Sequence, residues 1–142
     1  MQIEIDPTSE IPLYQQLRDR VVEGIAAGRL RPGDKLAPVR TLAGQFGINV
    51  ATVVKGYDLL RAEGLARSNR TAGSVIARGP LSDRAEADSP VENRWDAAAR
   101  AGWAARLRTV LAEGVAQGES DRDLENVARN ILATFAAERK GS

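Results

Sequence analysis

The sequence predicts a mainly α-helical chain with one small β-hairpin: a helix-turn-helix unit with the hairpin attached, then a separate pair of helices. Three observations predict it. Apolar residues recur at helical spacing in five stretches. Two short extended runs flank a polar, glycine-bearing turn at Asn69 to Gly73. From Gly79 to about Glu92 the composition shifts to Pro, Ser, Asp, Glu and small residues, the mark of an exposed linker.

Each element has its own signal. Gln2 to Ile5 alternate polar and apolar, a weak strand pattern. Leu13, Leu17, Val21 and Ile25, with Tyr14 and Val22 beside them, form a helical stripe that starts at Pro12 and stops near Gly28. Arg29-Leu30-Arg31-Pro32-Gly33-Asp34 reads as a tight connection. A short helix fits Val39 to Phe46, stopping at Gly47. Asn49 is suited to accept from the next free amides as an N-cap, opening a third helix through Val53, Tyr57 and Leu60 that ends at Gly64. Two helices joined by about three residues, the first ending in glycine, are the helix-turn-helix layout. Leu65 to Ser68 and Ser74 to Ala77 make the hairpin. After the linker, Trp95, Ala98, Ala99, Gly102, Trp103, Leu107, Val110 and Leu111 mark one helix ending near Gly118. Ser120-Asp121-Arg122-Asp123 resembles a capping box before a last helix through Leu124, Val127, Ala128, Ile131, Leu132 and Phe135. Tyr14, Phe46 and Tyr57 read as core, and Trp95 and Trp103 as one packing face.

Composition removes most chemistry. Among 142 residues, 43% hydrophobic and 27% charged, there is no Cys and no His. Disulfide scaffolds, thiolate and imidazole catalysis and Cys/His zinc sites are therefore excluded. No carboxylate pair stands in a context suggesting a cleft, so no catalytic residue is assigned and no enzyme is expected. Glu119, Asp121, Asp123 and Glu125 lack the glycine and terminal Glu of a calcium loop, and a helix N-terminus that favours carboxylates explains them. No metal or cofactor is expected. No run approaches the roughly 20 apolar residues of a membrane span, and no signal-peptide pattern opens the chain, so a cytoplasmic location is expected.

The net charge of +1 hides an uneven distribution. Arg29 to Pro80 holds nine basic and three acidic residues, whereas Leu81 to Ser142 holds nine basic and eleven acidic. A basic segment beside a near-neutral one points to a polyanion-facing unit and a partner-facing one; clustering on a solvated face is the other reading.

In order along the chain, Pro12-Leu13-Tyr14-Gln15-Gln16-Leu17, Gly28-Arg29-Leu30-Arg31-Pro32-Gly33-Asp34-Lys35-Leu36, Val39-Arg40-Thr41-Leu42-Ala43, Gly47-Ile48-Asn49, Thr52-Val53, Tyr57 to Leu65 and Gly73 resemble the winged helix-turn-helix domain of the GntR family of bacterial transcription regulators. The resemblance covers roughly residues 10 to 77. It implies a winged helix-turn-helix DNA-binding domain at 1–78; with the composition shift and the two later helical stripes, the chain then divides into a linker at 79–93 and a C-terminal two-helix dimerisation hairpin, a dimerisation/effector domain, at 94–142. A short helical tail is similar to the YtrA-like subfamily, whose members are dimers often encoded beside transporter genes.

The resemblance also implies site residues. Winged helices place their third helix in the major groove, with the wing on phosphate or in the minor groove. Arg40 matches a DNA-contacting arginine early in the second helix. Thr52 matches a phosphate-contacting position. Asn49 caps the third helix first and touches DNA second. Lys55 is the only cation on that helix before Arg61 and, as a flexible point charge, suits phosphate. Val50, Ala51 and Val54 stand where relatives often carry polar or basic residues, so thymine-methyl contact or DNA shape carries more of the readout. In the wing, Arg70 and Gly73 remain, while Thr71 and Ala72 replace the usual glycine and basic residue. Ala37-Pro38 replaces the usual Pro-Ser before Val39, which alters the capping of the second helix. The expected function is a homodimeric regulator, chiefly a repressor, on a palindromic double-stranded operator, with a small-molecule effector as a further candidate partner. The alternative is a winged-helix protein-interaction module.

Overall fold

In the computed structural model, which describes residues 3–80 and 95–141, the first apolar stripe winds into α1 (Leu13–Ala26), with Leu17, Val21 and Ile25 buried on one face. The helix stops where Gly28 takes φ +78°, its amide donating to the Ile25 carbonyl at 3.1 Å and that of Arg29 to the Gly24 carbonyl at 2.9 Å. Left-handed backbone at that point is what glycine permits at little cost. The second helix, α2 (Val39–Phe46), ends the same way at Gly47. Its N-cap is Pro38, which has no side-chain oxygen to offer, so only the backbone holds the first turn, with the Leu42 amide on the Pro38 carbonyl at 3.0 Å. The third helix, α3 (Val50–Ala62), opens on Asn49, whose Oδ1 accepts from the Ala51 amide at 2.9 Å.

Two strands follow, β1 (Ala66–Asn69) and β2 (Gly73–Ile76), antiparallel with Ala66 opposite Ile76 and Asn69 opposite Gly73. The segment after the Arg31-Pro32-Gly33 turn also pairs with β2. The Gly33 amide donates to the Ile76 carbonyl, the Ile76 amide to the Asp34 carbonyl and the Leu36 amide to the Ser74 carbonyl, each at 2.8 Å. The sequence of 29–34 predicts a connection alone. A pairing forty residues distant leaves no period in the local pattern.

Residues 3–5 of the expected Gln2 to Ile5 strand are not a strand, and Gln2 lies outside the described residues. A strand needs a neighbouring backbone. The chain that follows, from Asp6 to Ile11, is held instead by the buried Gln16 side chain, which accepts from the Asp6 amide at 2.7 Å and donates to the carbonyls of Asp6 at 2.9 Å and Ile11 at 2.8 Å.

Leu17, Val21, Ile25, Leu36, Leu42, Ala43, Val53, Tyr57, Leu60, Ala66 and Ile76 make one core. Each large side chain removed from water contributes roughly 1.5–3 kcal/mol. Across its edge Arg18 pairs with Glu63 through two hydrogen bonds, the Nε bond at 2.9 Å, and this carboxylate holds the guanidinium pKa above its usual value. Tyr57 and Phe46 pack in or against the core as expected, but Tyr14 is half-buried and outside it.

The described residues fall into two compact units, 3–80 and 95–141. The expected linker at 79–93 lies outside the described residues apart from Gly79 and Pro80, as does Arg94. In the second unit, α4 (Ala97–Ala116) is capped by Asp96, whose Oδ1 accepts from the amides of Ala98 and Ala99 at 2.8 and 3.0 Å. The last helix, α5 (Asp121–Gly141), is capped by Ser120, whose Oγ accepts from the Asp123 amide at 3.1 Å. The two helices approach at Gly114, where an added Cβ would lie 2.4 Å from Leu124 Cδ2. Trp95 and Trp103 touch, with ring centroids 5.2 Å apart and tilted by 57°. No residue of α4 or α5 is buried.

Candidate nucleic-acid interface

The core contacts of α3 decide which of its residues face outward. Val53, Gly56, Tyr57 and Leu60 are buried, which by helical spacing leaves Val50, Ala51, Val54, Lys55 and Asp58 on the exposed side. Val50 is 43% and Val54 39% exposed. Thr52 is half-buried beside the cap, its amide donating to the Asn49 carbonyl at 3.0 Å. Asn49 is thus committed to capping, as read from the sequence.

Charge on this surface is partly paired. Arg61 holds Asp58 in an ion pair and donates to Ser74 Oγ at 2.9 Å, which ties α3 to β2. The acid on the exposed side of α3 is thereby offset, and Arg61 serves the wing. Lys55 Nζ stands 3.9 Å from the ring centroid of Tyr14 on α1, a cation–π contact. Neither Arg61–Ser74 nor Tyr14–Lys55 has a sequence signature, since each joins residues on different elements. Arg40 is the second residue of α2 and exposed. Tyr57 fixes the approach to it, donating from its hydroxyl to the Ala37 carbonyl at 2.5 Å; burial pushes that phenol up to about 12.

In the wing, the turn between the strands is Arg70-Thr71-Ala72. Asn69 Oδ1 organises it, accepting from the amides of Thr71 and Ala72 at 2.9 and 3.1 Å and from Thr71 Oγ1 at 2.9 Å. Arg70 is exposed at the tip. Gly73 takes φ +77° with nothing within 4 Å of an added Cβ, so in this fold glycine is required there by backbone conformation. Arg40, Asn49, Val50, Ala51, Thr52, Lys55, Arg70 and Gly73 therefore all lie in the first unit. Arg40, Val50, Ala51, Lys55 and Arg70 present exposed side chains.

Arg40, Lys55 and Arg70 are exposed cations of the first unit, and such cations suit a polyanion. Among the described residues no group of His, Cys, Asp and Glu could hold a metal ion. No helix among them is long and apolar enough to cross a membrane.

Comparison with known proteins matches this unit. Residues 13–76 fit the family described as bacterial regulatory proteins, gntR family. The HTH-type transcriptional regulator Rv1152 of Mycobacterium tuberculosis (strain ATCC 25618 / H37Rv) is 36% identical over 90 residues, 63% of this chain and 74% of that protein. The HTH-type transcriptional repressor YtrA of Bacillus subtilis (strain 168) is 40% identical over 75 residues, 53% of this chain and 58% of that one. Among solved structures, YtrA from Sulfolobus acidocaldarius, a GntR-family transcription factor, superposes with a TM-score of 0.57 at 32% identity, covering 80% of this chain and 97% of the other. A transcriptional antiterminator from Listeria monocytogenes EGD-e shares the fold, with a TM-score of 0.74 at 22% identity over 93% of both chains.

Proposed function

The chain belongs to the GntR family of bacterial regulatory proteins and is YtrA-like within it, and from that premise we propose that it represses transcription as a homodimer on a palindromic operator. DNA-binding regulation comes with the family, which is one of regulators and not of enzymes. Repression, operator symmetry and dimerisation are the further reading. The observation that supports DNA contact best is the exposed face of α3, with Val50, Ala51, Val54 and Lys55 all exposed.

In this reading α3 enters the major groove. Val50, Ala51 and Val54 meet thymine methyls, which only the major groove displays. Arg40 takes a guanine edge or a phosphate, for both of which a planar guanidinium is suited. Lys55 and Thr52 hold phosphate, and Arg70 at the wing tip meets the flanking backbone. Residues 1–78 form the DNA-binding domain and 94–142 the dimerisation hairpin, joined by the linker at 79–93. The apolar faces of α4 and α5 support dimerisation, because Trp103, Leu107, Val110, Leu111, Val115, Val127, Ile131 and Leu132 are 39–67% exposed, and such a surface is ordinarily covered by a partner. Two copies related by a two-fold axis would read half-sites about 34 Å apart. The work is cytoplasmic, the regulated genes include a transporter operon as for YtrA-like regulators, and a small effector releases the operator by favouring one domain arrangement over another.

Protection of DNA upstream of its own operon by the purified protein tests the reading. A symmetric footprint whose affinity falls steeply with salt is expected. A salt-insensitive protein that protects no specific site would instead be a protein-interaction module.

A further inference from the structure

Lys55 is held before any DNA arrives. Its Nζ lies 3.9 Å from the centroid of the Tyr14 ring, although Tyr14 belongs to the first turn of α1 and Lys55 to the middle of α3. The residue after the lysine makes this meeting geometrically available. At Gly56 an added Cβ would lie 3.1 Å from the main-chain oxygen of Tyr14 and 3.0 Å from Leu17 Cδ2, so the missing side chain lets the start of α1 press directly on α3. The first turn of α1 carries no acidic side chain, and the partner it brings to the ammonium is an aromatic face.

The character of that partner matters. A carboxylate would neutralise the lysine and compete with phosphate. An aromatic ring attracts the cation through its quadrupole but leaves the charge in place. A lysine stem has four flexible carbons, and immobilising it is a substantial entropic cost of any contact its ammonium makes. A ring that already confines the stem removes part of that cost from the binding step. The same contact draws the ammonium toward α1.

We propose that Tyr14 is a positioning residue for DNA binding: its ring holds the Lys55 ammonium at the flank of α3, aimed at a backbone phosphate and away from base edges, without neutralising it. This rests on the reading of α3 as the DNA-facing helix. Tyr14 then supports affinity for all sequences alike and adds nothing to base discrimination.

The test uses the full chain and duplex DNA of two kinds, the protected upstream fragment and an unrelated fragment, with Tyr14→Phe, Tyr14→Leu, Lys55→Met and the Tyr14→Leu/Lys55→Met double variant. In the free protein, the ε-methylene protons of Lys55 should be shifted upfield by the ring in wild type and Tyr14→Phe, and return to ordinary values in Tyr14→Leu. Tyr14→Leu should weaken both fragments about threefold, Tyr14→Phe should bind as wild type, and Tyr14→Leu should cost nothing further in the Lys55→Met background. An equal loss in that background would overturn the proposal, because Tyr14 would then act through packing or a contact of its own. So would a Tyr14→Phe variant as weak as Tyr14→Leu, or an absent upfield shift in wild type. Wild type that binds neither fragment would remove the functional reading itself, an outcome distinct from all of these.

Discussion

The hydroxyl of Tyr57, in the middle of α3, donates a hydrogen bond to the main-chain carbonyl of Ala37 at 2.5 Å, two residues before α2 begins. One side chain thus joins α3, the helix proposed to face DNA, to the segment that precedes Arg40. Tyr57→Phe keeps the ring in the core and removes only this bond. A loss of about 1 kcal/mol is expected, read as a fall in Tm of about 5 °C. The pH dependence follows from burial, which raises the phenol from 10.0 to about 12. The fold favours the neutral form, so this contribution is complete below the unfolded-state value and is lost as pH rises from 10.0 to about 12. In denaturant titrations the stability gap between wild type and Tyr57→Phe should close within that window and reverse towards its upper end, because Tyr57→Phe has no phenol to ionise.

Gln16 carries a second prediction. Its amide group makes three hydrogen bonds to the backbone around Asp6 and Ile11, holding the residues before α1 against the helix. Gln16→Leu preserves helix propensity and apolar volume but strips all three. Since the freed backbone groups can reach water, the expected cost is about 1–2 kcal/mol, short of the full penalty for buried orphans. Hydrogen exchange at the Asp6 amide should accelerate while that of α3 amides slows or quickens only with global stability.

What the sequence made legible and what it did not divide along one physical line. Helices α1 to α5 were readable because the spacing of Leu17, Val21 and Ile25, or of Val53, Tyr57 and Leu60, is a local property of the chain, and glycines at 28, 47 and 118 adopt the positive φ that ends a helix. The hairpin was readable from its polar turn. The pairing of residues 33–36 with β2, the Gln16 clamp and the Tyr14–Lys55 contact were not, because each depends on which elements become neighbours. Tyr14 shows the point: helical spacing put it beside the core stripe, but the tight approach at Gly56 set its ring beneath a lysine. Of the candidate site, the exposed apolar positions on α3 were named from the resemblance, while the offset of Asp58 by Arg61 emerged only with side chains in place.

Asn49 separates capping from DNA contact. Its Oδ1 accepts from the Ala51 amide at 2.9 Å. Asn49→Ala should destabilise the fold by about 1 kcal/mol. Asn49→Asp should keep the cap, and a carboxylate suits the positive end of the helix, yet it adds a negative charge to the proposed DNA face. Thermal melts should therefore show Asn49→Asp as stable as wild type, and fluorescence anisotropy should show it bound to the upstream fragment at least tenfold more weakly. Equal affinity would place Asn49 away from the phosphates.

In the second unit, Leu107 and Leu111 lie one turn apart on α4, each 40% exposed, in a helix with no buried residue. If a second copy covers this stripe, its removal should abolish assembly without unfolding the first unit, which has its own core. Leu107→Glu with Leu111→Glu replaces four apolar side chains per dimer. At the low end of about 1.5 kcal/mol for each burial, the dimer dissociation constant should rise by about four orders of magnitude. Light scattering should then report a monomer at micromolar concentration. Binding to a DNA with two half-sites should collapse towards the weak affinity seen for one half-site, because linkage through the partner no longer multiplies the two contacts. A variant that stays dimeric would locate the interface outside the Leu107–Leu111 stripe.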